Sequence, residues 1–487
     1  MGALMHVTPG SGLLAALVLV LAAGCAEPGN GADADSDTDT DVDSDTDTDS
    51  GPEGTIKNFD ADGIPENGGD FVYGVKVGAT EHDRAYFASH YGGRATLALA
   101  VWVDRVGAEV EMFFEDEVSP EDGGFVHQLV SGLRFGQQYR YAFLEKTAGG
   151  GYAERSRIGT FRTAPRDHQL VPVTLAGTHG TFQGQGGYEG FPYLTASSEY
   201  ELDFFIHLGD ITYNDGAQEI EQFRTKWDFN MKTQGFKDIF AATTWYSVWD
   251  DHEVTDNYNP EIHPARFLSN AFQVYFEFLP VPRDPDHPDR IWRSYRWGRT
   301  AELFLLDCRS ERKPSSRATA GAIYISEAQL DWLLEELAGS DAVFKLIANS
   351  VPITDFPVAF DFGGANEDRW EGYASQRVEL LDAIAAQGTE HVYWLSGDFH
   401  IASVGWLEPD KSRGMHEILM GPGGAMENPA GDGLPKGQFS WGRGTLLQDH
   451  ADTVTVVRLD PTKQPPEFRV TFYELDGTVL HDEVLKD

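Results

Sequence analysis

Two cysteines in 487 residues, Cys25 and Cys308, exclude a fold stapled by disulfides. Basic residues are scarce as well: 37 Lys and Arg stand against 78 acids, a formal charge of -41, which excludes a protein that grips a nucleic-acid backbone. No apolar run reaches the length of a comfortable transmembrane helix; LLAALVLVLAA, residues 13–23, is too short. No Gly-x-Ser-x-Gly occurs, so a serine-hydrolase nucleophile turn is missing. What is present is enough for a folded chain: 41% hydrophobic residues, 12% aromatics, and a length that exceeds one ordinary core and implies two folded parts. Abundant carboxylates also leave one route to phosphate open, because they collect hard cations whose charge then attracts the anion.

The short apolar run ends in LAAGC, with Cys25 after small residues. It resembles a bacterial lipoprotein signal, although no Lys or Arg precedes it; the alternative is an ordinary secretory signal with a chance Cys. The resemblance implies cleavage before Cys25, a lipid on Cys25, and an exported protein of the cell envelope that touches the membrane through that lipid only. Cys308 then has no partner. Residues 33–50, DADSDTDTDVDSDTDTDS, bury nothing and repel one another, and they lack the Gly and Glu of an EF-hand loop. The expected organisation is a signal at 1–25 and a disordered Asp/Ser/Thr-rich linker at 26–68.

Residues 69–165 are expected to form an all-β sandwich, from the alternation in ATLALAVWVD and GGFVHQLVSGLRFGQQYRYAFLEK. Leu133 and Tyr139 resemble the tyrosine-corner region of a fibronectin type III-like or Ig-like domain. After Pro165 the pattern changes to short apolar runs with polar tails: VPVTLAG, DFFIHLGD, TWYSVWDD, AELFLLDCR, VFKLIANS and HVYWLSGDFH. Helices fit between them. SEAQLDWLLEELAG has a capping box at Ser326 and Gln329, and SQRVELLDAIAAQG precedes the last run. Residues 166–487 therefore read as an α/β domain whose ligand site lies beyond the carboxyl ends of its strands.

Four of the tails carry chemistry: GDITY (209–213), WDDHEVTDN (249–257), LDCR (306–309) and SGDFH (396–400). Asp, Asn, His and Tyr are oxygen and nitrogen donors suited to hard or borderline cations. Gly209 and Gly397 let the chain turn sharply before Asp210 and Asp398. Each motif alone is weak; their order at successive strand ends is specific.

That order resembles the PhoD-like alkaline phosphatases of the metallophosphoesterase superfamily, over the whole folded chain, with HEILMGPGGAMENP similar to a C-terminal segment of theirs. The resemblance implies a β-sandwich core flanked by helices, preceded by the fibronectin-like domain. It implies a phosphomonoesterase or phosphodiesterase with a small phosphate ester as substrate, and a cluster of ferric iron and calcium. By position, Asp210 bridges metals, Tyr213 binds iron, Asp251 and Asn257 serve the neighbouring metal, and Asp398 and His400 complete the set. His252 is the expected general acid. Arg309 is either a clamp on a phosphoryl oxygen or an ion-pair partner of Asp307 or a neighbouring carboxylate. Asp250 either orients His252 or caps a helix, and Cys308 faces the core.

One departure puts iron in question. Where the family has a Cys ligand this chain reads AGTHG, with Thr178 at the Cys position; His179 is either a replacement nitrogen donor or a loop residue near substrate or water. Manganese or zinc suits the remaining donors as well as calcium does. The altered motif also motivates the competing reading, a surface binding or adhesion protein with a degenerate phosphatase domain. Substrate identity is left to loops such as 179–200 and 361–373.

Overall fold

Three of the apolar runs, Val173–Thr178, Phe204–Leu208 and Thr244–Val248, lie side by side as parallel strands in the computed structural model, which describes residues 51–181, 191–196, 201–356, 368–444 and 453–486. Four more parallel strands, Ala301–Leu305, Phe344–Asn349, Val392–Ser396 and His416–Met420, build a second sheet. The two sheets face each other. Leu175, Phe204, Ile206 and Tyr246 from one meet Leu303, Leu346, Leu395 and Ile418 from the other in a common core. Helices cover the outer faces: Ile220–Met231, Gln234–Ala242 and Ala265–Phe278 through Trp227, Phe236 and Tyr275, and Glu327–Gly339 with Ala374–Gln387 through Leu333 and Leu381. Burial on both faces is why these strands read as unbroken apolar runs. Ser326 caps its helix as expected, accepting the Gln329 N–H, but the Gln329 side chain turns inward to the backbone of Asp307 instead of closing a capping box.

The N-terminal part is a β-sandwich with one sheet of its own. That sheet runs Thr55–Asn58, Glu109–Val118, Leu97–Asp104, Gln138–Lys146, with Tyr152–Arg155 and Gly159–Arg162 both paired to the last. Its inner residues Leu99, Val101, Tyr141 and Phe161 pack on Val75, Val77 and Phe87 of the opposite layer. The Tyr139 hydroxyl accepts the Arg134 N–H at 2.7 Å.

Two expected boundaries move. The linker does not run to residue 68, because Thr55–Asn58 already pairs with residues 109–112 and Asn67 N–H bonds to the Arg155 carbonyl. The sandwich does not separate from the rest at 165 either. Its layer of Val75–Gly78, Arg84–His90 and Phe125–Ser131 joins the first parallel sheet through a bridge between Gly78 and Trp245, and makes nine strands with it. Local sequence cannot carry this joint, since the paired strands are more than 160 residues apart.

Residues 1–50, with the signal, Cys25 and the acidic tract, lie outside the described residues, as do most of the loops 179–200 and 361–373. Among the described residues no helix is long and apolar enough to cross a membrane.

Candidate metal centre

The carboxyl ends of five parallel strands deliver the site. They lead into His179, into Asp210, into Asp250 and Asp251, into Arg309, and into Asp398 and His400. The sixth tail does not take part: Asn349 is buried, accepting from Trp370 Nε1 and Cys308. Cys308 faces the core, as expected.

Backbone strain gathers at this rim. Asp210, Asn257, Asp398 and His400 all have φ between +50° and +54°, the left-handed region that non-glycine residues seldom occupy. Gly209 shares it at +102°, whereas Gly397 serves by its size: a Cβ there would fall 2.2 Å from the His179 ring.

Asp210 is the hub of the donors. Its Oδ2 accepts the Tyr213 hydroxyl at 3.2 Å and lies 3.5 Å from His179 Nε2 and 3.7 Å from His400 Nε2. Three triads each bring their ligand atoms within 4.8 Å: His179, Asp210 and His400; Asp210, Asp251 and His252; Asp250, Asp251 and Asp398. Asp210 and Asp251 are each shared, so the triads form one continuous cluster. Both ring nitrogens of His179, Oδ1 of Asp210 and Oδ2 of Asp250 are buried with no hydrogen-bond partner. Buried polar atoms are nearly always satisfied, so four unsatisfied ones in a single cluster of hard and borderline donors fit a site for cations. His179 is therefore in the cluster, and Thr178 is not: its hydroxyl donates to the Gly421 and Thr453 carbonyls.

Two assignments change. Arg309 is no clamp on substrate, because its guanidinium has no exposed surface and is used up inside the protein. It donates to Asp250 and Asp368, and to Asp398 at 2.6 Å, with Asp251 at 3.4 Å. A buried guanidinium with five donors is the group best able to hold so many carboxylates. Asp250 neither orients His252 nor caps a helix. It binds Arg309 and lies 3.8 Å from His179. His252 is oriented instead by Asp215, whose two oxygens are each 2.9 Å from Nδ1. Asn257 sits at the exposed rim with its amide on Asp256.

Sequence reasoning missed four residues. Asp215 closes GDITYND, and Glu253 lay unassigned in WDDHE. The Glu253 carboxylate accepts the backbone N–H groups of Asp210, Ile211, Thr212 and Asp250, tying two strand ends together. Asp368 receives Arg309 and Arg312 from 59 and 56 positions away in the chain. Arg369 packs over the Phe399 ring, pairs with Glu371 at 3.0 Å, and leaves Nη1 without a hydrogen bond.

The charge balance is acidic. Burial and the neighbouring Asp250 and Asp210 push Asp251 up to about 8. Burial and Asp250 push Asp398 up to about 6. Burial opposes a charged ring at His252, yet Asp210, Asp251 and Asp215 outweigh it and raise the pKa to about 11; at His179, Asp210 and Asp250 do the same, to about 9. Such mutual shifts mark carboxylates that need positive charge close by.

Above the cluster is a cavity of about 500 Å³, lined by Asp210, Asp251, His252, Arg369, Asp398, Phe399 and His400. A larger groove of about 940 Å³ lies elsewhere, beside Tyr86 and Phe276, where Arg224 is already committed to Glu277.

Facing sheets with nitrogen and oxygen donors at their strand ends define a metallophosphoesterase-like fold. The description of the PhoD-like phosphatase family matches residues 175–440, and the chain belongs to that family. It is 26% identical over 341 residues to alkaline phosphatase D of Bacillus subtilis (strain 168), a match of 60% of this chain that spans little more than half, 56%, of that protein. Among solved structures, that of PhoD superposes with a TM-score of 0.69 at 18% identity, covering 86% of this chain and 92% of the other. A purple acid phosphatase from yellow lupin (Lupinus luteus) seeds superposes with a TM-score of 0.59 at 13% identity, covering 85% and 73%. These two likenesses bear on the fold.

Proposed function

We propose that the protein is an exported, metal-dependent phosphoric ester hydrolase that acts on small mono- or diesters with water as nucleophile. The observation that carries this reading is the continuous cluster of His179, Asp210, Asp250, Asp251, Asp398 and His400 with unsatisfied buried atoms, set under an open cavity. The same complete donor set speaks against a degenerate binding protein. His179, Asp210 and His400 would hold one cation, and Asp250, Asp251 and Asp398 its neighbour, with Tyr213 beside Asp210 and Asn257 at the rim. When bound, such cations neutralise phosphate oxygens and make water more acidic.

The chain's own groups do the rest. His252, half-buried in the cavity wall and steadied by Asp215, donates a proton to the leaving oxygen. Arg369, buried over the Phe399 ring in the cavity wall and paired with Glu371, adds positive charge near the phosphate without reaching it. Arg309 keeps the carboxylates in place from behind. An imidazole in place of a thiolate suits manganese or zinc as well as iron, while the carboxylates around Asp251 also suit calcium. The N-terminal sandwich reads as fibronectin type III-like, supported by the Tyr139 hydroxyl on the backbone at Arg134, and it supports the catalytic sheet. Cys25 is the proposed lipid anchor.

The test is metal analysis of the purified protein beside a panel of chromogenic mono- and diesters. Activity lost on chelation and restored by particular ions is expected. A protein that binds metal in the cluster and cleaves none of the esters under any ion would overturn the assignment. Cys25→Ser should convert membrane-associated protein into soluble protein.

A further inference from the structure

The N-terminal sandwich holds a second group of acids that the reaction does not use. Glu145, on Gln138–Lys146, stands directly opposite Glu154 on the antiparallel strand Tyr152–Arg155. Asp70, from the loop before Val75, brings a third carboxylate, and one oxygen of each lies within 4.8 Å of the others. Like charges directly opposite on neighbouring strands destabilise a sheet. The nearest basic side chains along the strands do not relieve them. Lys146 pairs with Glu117, and Arg155 with Glu66 and the Ala61 carbonyl.

One neutral amide joins the group. Asn67 Nδ2 donates to Asp70 at 3.0 Å and to Glu154 at 2.5 Å, while its Oδ1 accepts the Gly69 and Asp70 N–H groups and fixes the loop. The deepest member has least. Glu145 is 8% exposed, and its Oε1 is buried with no hydrogen bond. Burial and the charges of Asp70 and Glu154 raise the pKa of its carboxyl group. A buried, unpartnered carboxylate oxygen facing two further carboxylates is an acceptor awaiting a cation.

We propose that Asp70, Glu145 and Glu154 form a structural calcium site, separate from the catalytic cluster. The donors are all oxygen, which selects a hard cation over zinc or copper. The three oxygens lie within 4.8 Å of one another, close enough to share one ion at a calcium–oxygen distance of about 2.3–2.6 Å, and calcium accepts the irregular geometry that carboxylates from a loop and two strands would give. The ion would pin the loop at Asn67–Asp70 to the strand edge, just before Val75–Gly78 enters the nine-stranded sheet. It would thereby fix the joint between the sandwich and the catalytic part.

The experiment titrates the full-length protein with calcium alone, by equilibrium dialysis and by thermal unfolding, and compares wild type with Glu145→Gln and Glu154→Lys. The wild type should bind one calcium more than either variant. Loss of one carboxylate ligand should weaken this site about tenfold or more. The calcium-dependent rise in the unfolding midpoint should shrink in Glu145→Gln. Glu154→Lys places a fixed ammonium among the remaining acids, so it should be at least as stable as calcium-free wild type. Terbium in the site should show emission sensitised by Tyr91, whose hydroxyl lies beside Glu145, and lose it in Tyr91→Phe. Turnover with the catalytic ions saturating should be the same in all variants. Equal stoichiometry and equal calcium-dependent midpoint shifts in wild type and Glu145→Gln would overturn the proposal.

Discussion

Replacing Glu253 by Gln changes almost no volume and tests how the metal-side turns are held. The Glu253 carboxylate is fully buried and accepts four backbone N–H groups, two on each oxygen: Asp210 and Asp250 on Oε2 at 3.0 and 2.7 Å, Ile211 and Thr212 on Oε1. A glutamine has one carbonyl oxygen, so one pair of N–H groups keeps its acceptor and the other faces an NH2 donor. Each orphaned buried donor costs about 1–3 kcal/mol, so Glu253→Gln should lose roughly 2–6 kcal/mol of folding free energy. The turn at Asp210, already left-handed, is the part released. A shift of about 1 Å in that carboxylate should lower turnover about a hundredfold. Urea unfolding followed by tryptophan fluorescence reads the first effect, and initial rates with metal content read the second. A Gln variant that unfolds at the wild-type urea concentration and keeps wild-type turnover would refute the clamp.

Three further outcomes follow from the site and its surroundings. Arg309→Met, which strands several buried carboxylates, should destabilise the fold by about 3–5 kcal/mol in urea unfolding and change the metal content. His252→Ala should impair esters with poor leaving groups far more than activated aryl esters; equal losses on both would remove it as the proton donor. Lys76 is 2% exposed, donates to the Phe278 carbonyl, and is pushed down by burial from 10.5 to about 7. Between those values the unfolded chain binds a proton that the folded chain does not, so stability should rise with pH across that window, by up to about 1.4 kcal/mol per pH unit, and Lys76→Met should flatten the slope.

The parallel strands and their functional tails were legible because each buried strand shows an unbroken apolar run that stops abruptly in polar residues. Asp210, Asp251, Asp398 and His400 sit where those stops predict. The choice between Thr178 and His179 was not legible, since both are polar and adjacent. It rests on the local geometry, which turns the Thr178 hydroxyl onto carbonyls and the imidazole onto Asp210. Arg309 misled for a related reason: an arginine after a strand suits a phosphate clamp, and only tertiary structure shows that Asp368, far along the chain, has drawn it inward. The domain boundaries failed where pairing is long-range, as at Thr55–Asn58 and at Gly78.

The bridge between Gly78 and Trp245 makes the two halves inseparable in inheritance as well as in space. The Tyr246 hydroxyl donates to the Thr80 carbonyl, and the Thr80 and Thr244 hydroxyls meet at 3.0 Å, so the joint is hydrogen-bonded on both sides of the bridge. A recombination event that exchanged the N-terminal module at residue 165 would leave Thr244–Val248, now wholly buried, as a bare edge. Bare edges recruit other chains. The sandwich is thus retained by the catalytic sheet itself, and a lineage carrying this fold is free to vary the loops around the cavity but not to shed the strands between Thr55 and Arg162.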